Sequence, residues 1–148
     1  MISFDTNIAV HAANHASDQH GPAWAFVDSL ALNRDVAICE LMLVELYLKL
    51  RNERIFPKPL TAAQASAVCQ AYRNNQAWRL IDCAPVMDGV WEQAARGGFA
   101  FRRIIDVRLA ATLLHHGVTD FATANTKDFS RLGFKRVWNP LVTLEPKA

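Results

Sequence analysis

Cysteine is scarce in this chain: Cys39, Cys69 and Cys83 are odd in number, widely spaced and contain no C-x-x-C pair. That excludes a disulfide framework and argues against a zinc or redox pair, and the three are expected to be reduced, buried thiols. Glycine and proline number only 6 each in 148 residues, which excludes collagen-like and low-complexity chains. No window holds 18 uncharged apolar residues, and Asp5 interrupts the only apolar run at the start. Neither a membrane span nor a secretory leader is therefore expected, and the expected location is the cytoplasm. Charge of one sign is also lacking, since 16 Lys and Arg face 14 Asp and Glu. A net charge of +2 does not by itself mark a nucleic-acid binder, although 11 of the 16 basic residues are arginine, the better fork for phosphate.

What is present is apolar material, 51% of the residues, in a length that suits one domain spanning residues 1–148. A chain of this size buries about 68–70% of its unfolded surface without needing a structural metal. The opening Met1-Ile2-Ser3-Phe4 reads as a buried strand ending at Asp5, followed by a helical turn at Ile8, Ala9 and Val10. Helical spacing from Pro22 to Leu32 gives way to a small strand at Val36-Ala37-Ile38 and a long helix from about Glu40 to Arg51. After a loop at Ile55 to Pro59, Thr61 is a good N-cap for a helix over Ala62 to Tyr72. A strand at Arg79-Leu80-Ile81 precedes a helix from Pro85 through Ala95, stopped at Gly97-Gly98. Another helix covers about Ile104 to His116 and ends at Gly117; Phe121-Ala122-Thr123 and Val137-Trp138 are the last strands. Strands alternating with helices over short connections indicate a parallel sheet covered on both faces.

Four acids sit where stability does not ask for them. Eight of the ten residues from Leu41 to Leu50 are apolar, so that helix is expected to be buried nearly all round with Glu45 in its middle. A buried ion pair with an arginine is the structural alternative there. Asp106 opens an apolar helix and shares a face with Ala110 and Leu113; a first-turn acid favoured by the helix dipole is its plain explanation. Asp5 ends a strand, where open parallel sheets bind ligands, and it is also a natural N-cap. Asp128 follows the strand at Phe121-Ala122-Thr123 and equally suits a turn or cap. Together they are more telling, because carboxylates gathered at one sheet edge repel unless a cation joins them. Oxygen ligands without a nearby His and Cys set point to Mg²⁺ or Mn²⁺.

These residues carry a resemblance. Phe4-Asp5-Thr6-Asn7, Val44-Glu45-Leu46, Ile105-Asp106-Val107-Arg108-Leu109-Ala110 and Thr123-Ala124-Asn125-Thr126-Lys127-Asp128-Phe129 occur in an order and spacing that resembles the PIN-domain ribonucleases, in particular the VapC toxins of bacterial toxin–antitoxin pairs. The likeness extends from residue 1 to about residue 140. It implies an α/β fold, a three-layer α/β/α sandwich with a central parallel sheet of about five strands, acting as a metal-dependent endoribonuclease with an antitoxin partner and forming a homodimer. Carried onto matching positions, Asp5, Glu45, Asp106 and Asp128 would form the acidic cluster, with Asp5 and Asp106 as direct metal ligands. Asn125 stands where many relatives have an aspartate, and Val107 replaces a small residue common after the third acid.

The mechanism expected on this reading is hydrolysis of an RNA phosphodiester by metal-activated water, leaving a 5′-phosphate and a 3′-hydroxyl. Thr123 and Asn125 are expected to position a water or phosphate oxygen. Arg102, Arg103 and Arg108 flank Asp106 and are candidates for contacts with the RNA backbone, as are Arg51, Arg54 and Lys58, which equally suit a solvated helix end. His11, His15 and His20 lack the glutamate of a zinc-protease motif, and His115 and His116 suit a helix C-terminus. The four tryptophans read as core or interface residues, with no aromatic ladder for bases.

Two other readings are open. A first-strand aspartate also opens phosphoaspartyl enzymes of the haloacid-dehalogenase type, but these need a second aspartate two residues later, where this chain has Asn7. The second is a non-catalytic PIN-like module that binds RNA or an antitoxin. Under either the ribonuclease or the binding reading, the helices over Trp24 to Leu32, Leu41 to Leu50 and Ala62 to Tyr72 would offer a groove for an antitoxin segment.

Overall fold

The structure is a computed structural model and describes residues 1–142. Its strands are β1 (Ile2–Phe4), β2 (Ala37–Cys39), β3 (Arg79–Ile81), β4 (Asp120–Ala122) and β5 (Arg136–Trp138). The helices are α1 (Thr6–Ala13), α2 (His20–Leu30), α3 (Glu40–Leu50), α4 (Ala62–Arg73), α5 (Met87–Ala94), α6 (Arg103–His115) and α7 (Thr126–Phe129).

Among the described residues all strand pairs are parallel: β1 pairs β4 with Phe4 beside Ala122, β4 pairs β5, and β2 pairs β3. A parallel bridge between Ile2 and Val36 joins the two groups, so the five strands run in the order β3-β2-β1-β4-β5. Right-handed crossovers then place the helices after β1 and β2 on one face and those after β3 and β4 on the other. Helix packing agrees, because α1 packs on α2 and α3, and α3 on α4, while α6 packs on α5 and α7. The chain therefore forms the expected α/β/α layers, with the sheet core buried between them.

Burial explains which elements form. Each strand is three residues long, and in β1, β2 and β4 the middle and last residues are buried, as the central strands of a doubly covered sheet require. Phe4 lies at the heart of an aromatic cluster, with ring centroids 5.7 Å from Trp78, 6.1 Å from Tyr72 and 6.3 Å from Phe26. Burying a side chain such as Ile8 or Leu46, both fully enclosed, stabilises the fold by about 1.5–3 kcal/mol. Thr61 caps α4 in a complete capping box with Gln64, and Gly117 ends α6 with φ of +88°, a conformation that disfavours any side chain.

Some expectations need correction. Helix α3 is not buried all round: Val44 and Leu48 are 58% and 64% exposed, because the helix meets the sheet on one side and α4 on another, leaving a strip uncovered. Of the cysteines only Cys39 is buried; Cys69 is half-buried and Cys83 exposed. Trp24 and Trp91 are mostly exposed, whereas Trp78 and Trp138 pack on the core. The segment read as a turn around Asp128 contains the short helix α7, too brief to show helical periodicity.

Candidate active site

The strand order reverses between β1 and β4. The chain leaves β1 toward β2 on one side, while β4 lies on the other, so a crevice opens beyond their carboxyl ends. Asp5 follows β1 and Thr123 follows β4, and the backbone N–H of Asp5 donates to the carbonyl of Ala122 at 2.8 Å, which fixes the two ends together.

Asp5 is 8% exposed and closely held. Its Oδ1 accepts from the Thr6 backbone N–H at 2.7 Å, while Oδ2 accepts from the Thr123 hydroxyl at 2.7 Å and from Asn7 Nδ2 at 3.0 Å. A carboxylate offers about four acceptor positions, so these three donors orient it and leave little capacity unused. Burial pushes its pKa up, as does the charge of Glu45; the Thr123 hydrogen bond and the Lys49 ammonium oppose the rise.

Thr123 is fully buried, and its hydroxyl also accepts from the Asn125 backbone N–H at 3.0 Å. That hydroxyl is spent on Asp5 and on the turn that follows, so Thr123 positions a carboxylate and has no free face for a water or phosphate oxygen. Asn125 itself is exposed at the start of α7.

Glu45 is half-buried and lies between two partners. Its Oε2 accepts from the Thr6 hydroxyl at 3.0 Å, and its Oε1 pairs with Lys49 Nζ at 3.1 Å, one helical turn along α3. The partner is thus a lysine four residues away and not a buried arginine. Thr6 bridges Asp5 and Glu45 physically, with its N–H on one and its hydroxyl on the other.

Asp106 differs from both. Its carboxylate has no hydrogen bond or ion pair with any described residue, and its pKa is pushed up to about 6. Burial is the main cause, followed by repulsion from Asp5, Glu45 and Asp128, with Arg103 acting the other way. All four acids therefore share one electrostatic site, although they come from the N-cap of α1 and from α3, α6 and α7. Asp128 is exposed at its rim, where its carbonyl accepts from Arg103 Nη2 at 3.1 Å.

Among the described residues, no three Asp, Glu, His or Cys side chains are already gathered closely enough to hold a metal ion. Asp5 is engaged by hydrogen bonds and Glu45 by Lys49 and the Thr6 hydroxyl, while Asp106 has no such partner among the described residues. A half-buried carboxylate that has no partner among the described residues and feels the charge of three others is a group that a hard cation would satisfy, and oxygen donors of this kind fit Mg²⁺ or Mn²⁺.

Of the arginines expected beside the site, Arg103 is half-buried against it, while Arg102 is exposed and lies over the Phe101 ring at 5.5 Å and Arg108 is exposed. Sequence reading overlooked Thr6, Asn7 and Lys49 as parts of the site. The i, i+4 spacing of Glu45 and Lys49 was the available signal for one of them.

No protein-family model matches the chain. It is 48% identical to Ribonuclease VapC24 of Mycobacterium tuberculosis over 143 residues, 97% of this chain and 99% of that protein. Among solved structures, the fold is similar to VapC20 of Mycobacterium tuberculosis, a sarcin-ricin loop cleaving toxin, with a TM-score of 0.64, 20% identity and coverage of 90% of this chain and 96% of that one. It is also similar to a chain of VapBC2 from Rickettsia felis bound to a promoter DNA fragment, with a TM-score of 0.62, 20% identity and coverage of 94% and 100%. A near-complete relative at this identity, with the same fold in more distant structures, settles kinship: the chain belongs to the VapC ribonuclease family of PIN-domain toxins.

Proposed function

We propose that this protein is a divalent-metal-dependent endoribonuclease, the toxin of a toxin–antitoxin pair, with Asp5 and Asp106 as ligands of Mg²⁺ or Mn²⁺. The observation that carries this reading is the Asp106 carboxylate, repelled by Asp5, Glu45 and Asp128 and without a partner among the described residues. When bound, the cation supplies neutralisation of the phosphoryl oxygens and acidifies an attacking water. The chain's own residues prepare for it. Thr123, Thr6 and Asn7 hold the Asp5 carboxylate in one orientation, so little is reorganised when the site fills. Lys49 and the Thr6 hydroxyl hold Glu45 at the edge of the crevice, where it is placed to accept a proton or orient a water. Asp128 adds negative charge at the exposed rim. No serine, cysteine or histidine nucleophile is needed.

The names of the relatives support RNA as substrate and an antitoxin as partner: one is called a ribonuclease, another a sarcin-ricin loop cleaving toxin, and a third was solved as a VapBC assembly. A largely apolar groove of about 310 Å³ between α1, α2 and α4, lined by Trp24, Val27, Val68, Tyr72 and Trp78, offers pockets for apolar side chains of such a partner. Among the described residues no helix is long and apolar enough to cross a membrane. A cytoplasmic homodimer is the assembly in which we place the protein.

The deciding experiment incubates purified, antitoxin-free protein with a structured RNA pool under Mg²⁺ or Mn²⁺ titration and sequences the cut ends. Cuts bearing 5′-phosphates that disappear with chelator and in Asp106→Asn are expected. Well-folded protein that binds RNA or antitoxin without cutting would instead establish a binding module.

A further inference from the structure

A second group of charged residues lies beside the acidic site, and its sign is opposite. Arg96, two residues past α5, Arg103, the first residue of α6, and Arg131, from the segment between α7 and β5, line one cleft of about 280 Å³. Gly97 and Gly98 form part of its wall; a Cβ on either would meet nothing within 4 Å, so backbone lies open to the space. Gly98 has φ of +79°, which reserves that position for glycine.

Three arginines lining one open cleft, two of them exposed, offer charge-assisted donors to an anion that enters it. Among the described residues none of the three makes an ion pair; the salt bridges there are Met1 with Asp35, Lys49 with Glu45 and Arg73 with Glu40. Arg103 adds a second observation: its Nε is buried and has no acceptor among the described residues, and a buried donor of this kind is stabilised by an acceptor. The same side chain donates through Nη2 to the carbonyl of Asp128 at 3.1 Å, which ties the cleft to the rim of the acidic site.

We propose that the Arg96–Arg103–Arg131 cleft binds a backbone phosphate of the RNA strand adjacent to the phosphate that is cut. The proposal rests on the ribonuclease reading and deepens it. Arginine suits this task because its planar fork grips two phosphate oxygens at once, and the exposed glycine backbone lets the strand approach closely. Holding the neighbouring phosphate on one side of the acids fixes the direction in which the strand crosses the site.

The test uses Arg96→Ala and Arg131→Ala, both at exposed positions, singly and together, with circular dichroism as a check on folding. In one arm, inorganic phosphate is titrated into chelator-treated protein while the Gly97 and Gly98 amide resonances are followed. Saturable shifts in wild type, lost in the double variant, are expected. In the other arm, cleavage of a single-stranded RNA oligonucleotide is measured against salt. The double variant is expected to raise KM about tenfold or more, the loss falling on KM in preference to kcat, and to flatten the logarithmic salt slope by about 0.7, the value for one phosphate on a single strand. Arg96→Lys is expected to recover only part of the loss. Normal cleavage with unchanged KM and salt slope in the double variant would overturn the proposal, as would an effect on antitoxin affinity alone. Phosphate binding at Gly97 and Gly98 in a wild-type protein that cuts no RNA would leave an anion site standing and sink the ribonuclease reading instead.

Discussion

Asn in place of Asp106 should make the metal-free protein more stable while removing its cleavage activity. The folded chain holds the Asp106 carboxyl at a pKa of about 6 against an ordinary 3.8, chiefly through burial and then through Asp5, Glu45 and Asp128. An interval of that size corresponds to about 3 kcal/mol between the two protonation states. Asp106 is only half-buried, so solvent screening brings the realistic cost of its charge to about 1–1.5 kcal/mol. Asparagine has nearly the same shape without the charge, and should raise the melting temperature in chelator at pH 7.5 by about 3–5 °C. The pH dependence gives a second, independent check. Because the folded state holds this proton more tightly than the unfolded one, wild type becomes less stable relative to the variant as pH rises from about 4 to about 6, and the gap is then constant. At pH 4 the two proteins should melt together. Magnesium should close the gap at pH 7.5 by stabilising wild type alone. Thermal melts of both proteins at several pH values, with and without chelator, are sufficient. A variant less stable than wild type at pH 7.5 in chelator, or a gap that does not shrink in acid, would refute the electrostatic account of this site.

Two further substitutions probe the neighbours of the acids. Lys49→Met removes the ammonium paired with Glu45 at 3.1 Å, which should cost the metal-free protein about 0.5 kcal/mol while tightening Mg²⁺ binding severalfold in calorimetry, since a cation no longer competes with the metal; weaker Mg²⁺ binding would contradict this. Thr123→Val keeps the buried shape but strips Asp5 of a 2.7 Å donor and the Asn125 N–H of its acceptor, so urea denaturation should show a loss of about 2–3 kcal/mol, with cleavage reduced as well. A loss below about 0.5 kcal/mol would mean the Asp5 carboxylate has other support.

Much of the architecture was legible in local chemistry. Short apolar segments, an N-cap at Thr61 followed by Gln64, and a glycine at 117 after an apolar helix each report a local constraint, and the corresponding elements form at those places. Helix α3 shows where such reading fails. Its composition is apolar on nearly all sides, yet Val44 and Leu48 are exposed, because composition records what a helix is able to bury and only packing decides which faces meet a neighbour.

The four acids were visible one by one as carboxylates in places that burial or helix geometry made costly, and each had a plain structural explanation when taken alone. Their convergence was decided by the order of the sheet. Reversal of strand order between β1 and β4 brings residues 5 and 123 within one hydrogen bond, 118 positions apart in the chain. The same crossing carries α3, α6 and α7 to that edge, so that Asp106 feels Asp5, Glu45 and Asp128 together. The arginine cleft had still less local signal, since Arg96 and Arg131 belong to unrelated segments that meet only when α5, α6 and α7 pack on one face. By itself the sequence determined which segments are strands and helices and which side chains bear charge, because those depend on neighbours a few residues away. Which charges meet, and which remain unpaired, belonged to the tertiary structure, because electrostatic energy depends on distance through space and on exclusion of water, neither of which exists until the sheet has closed.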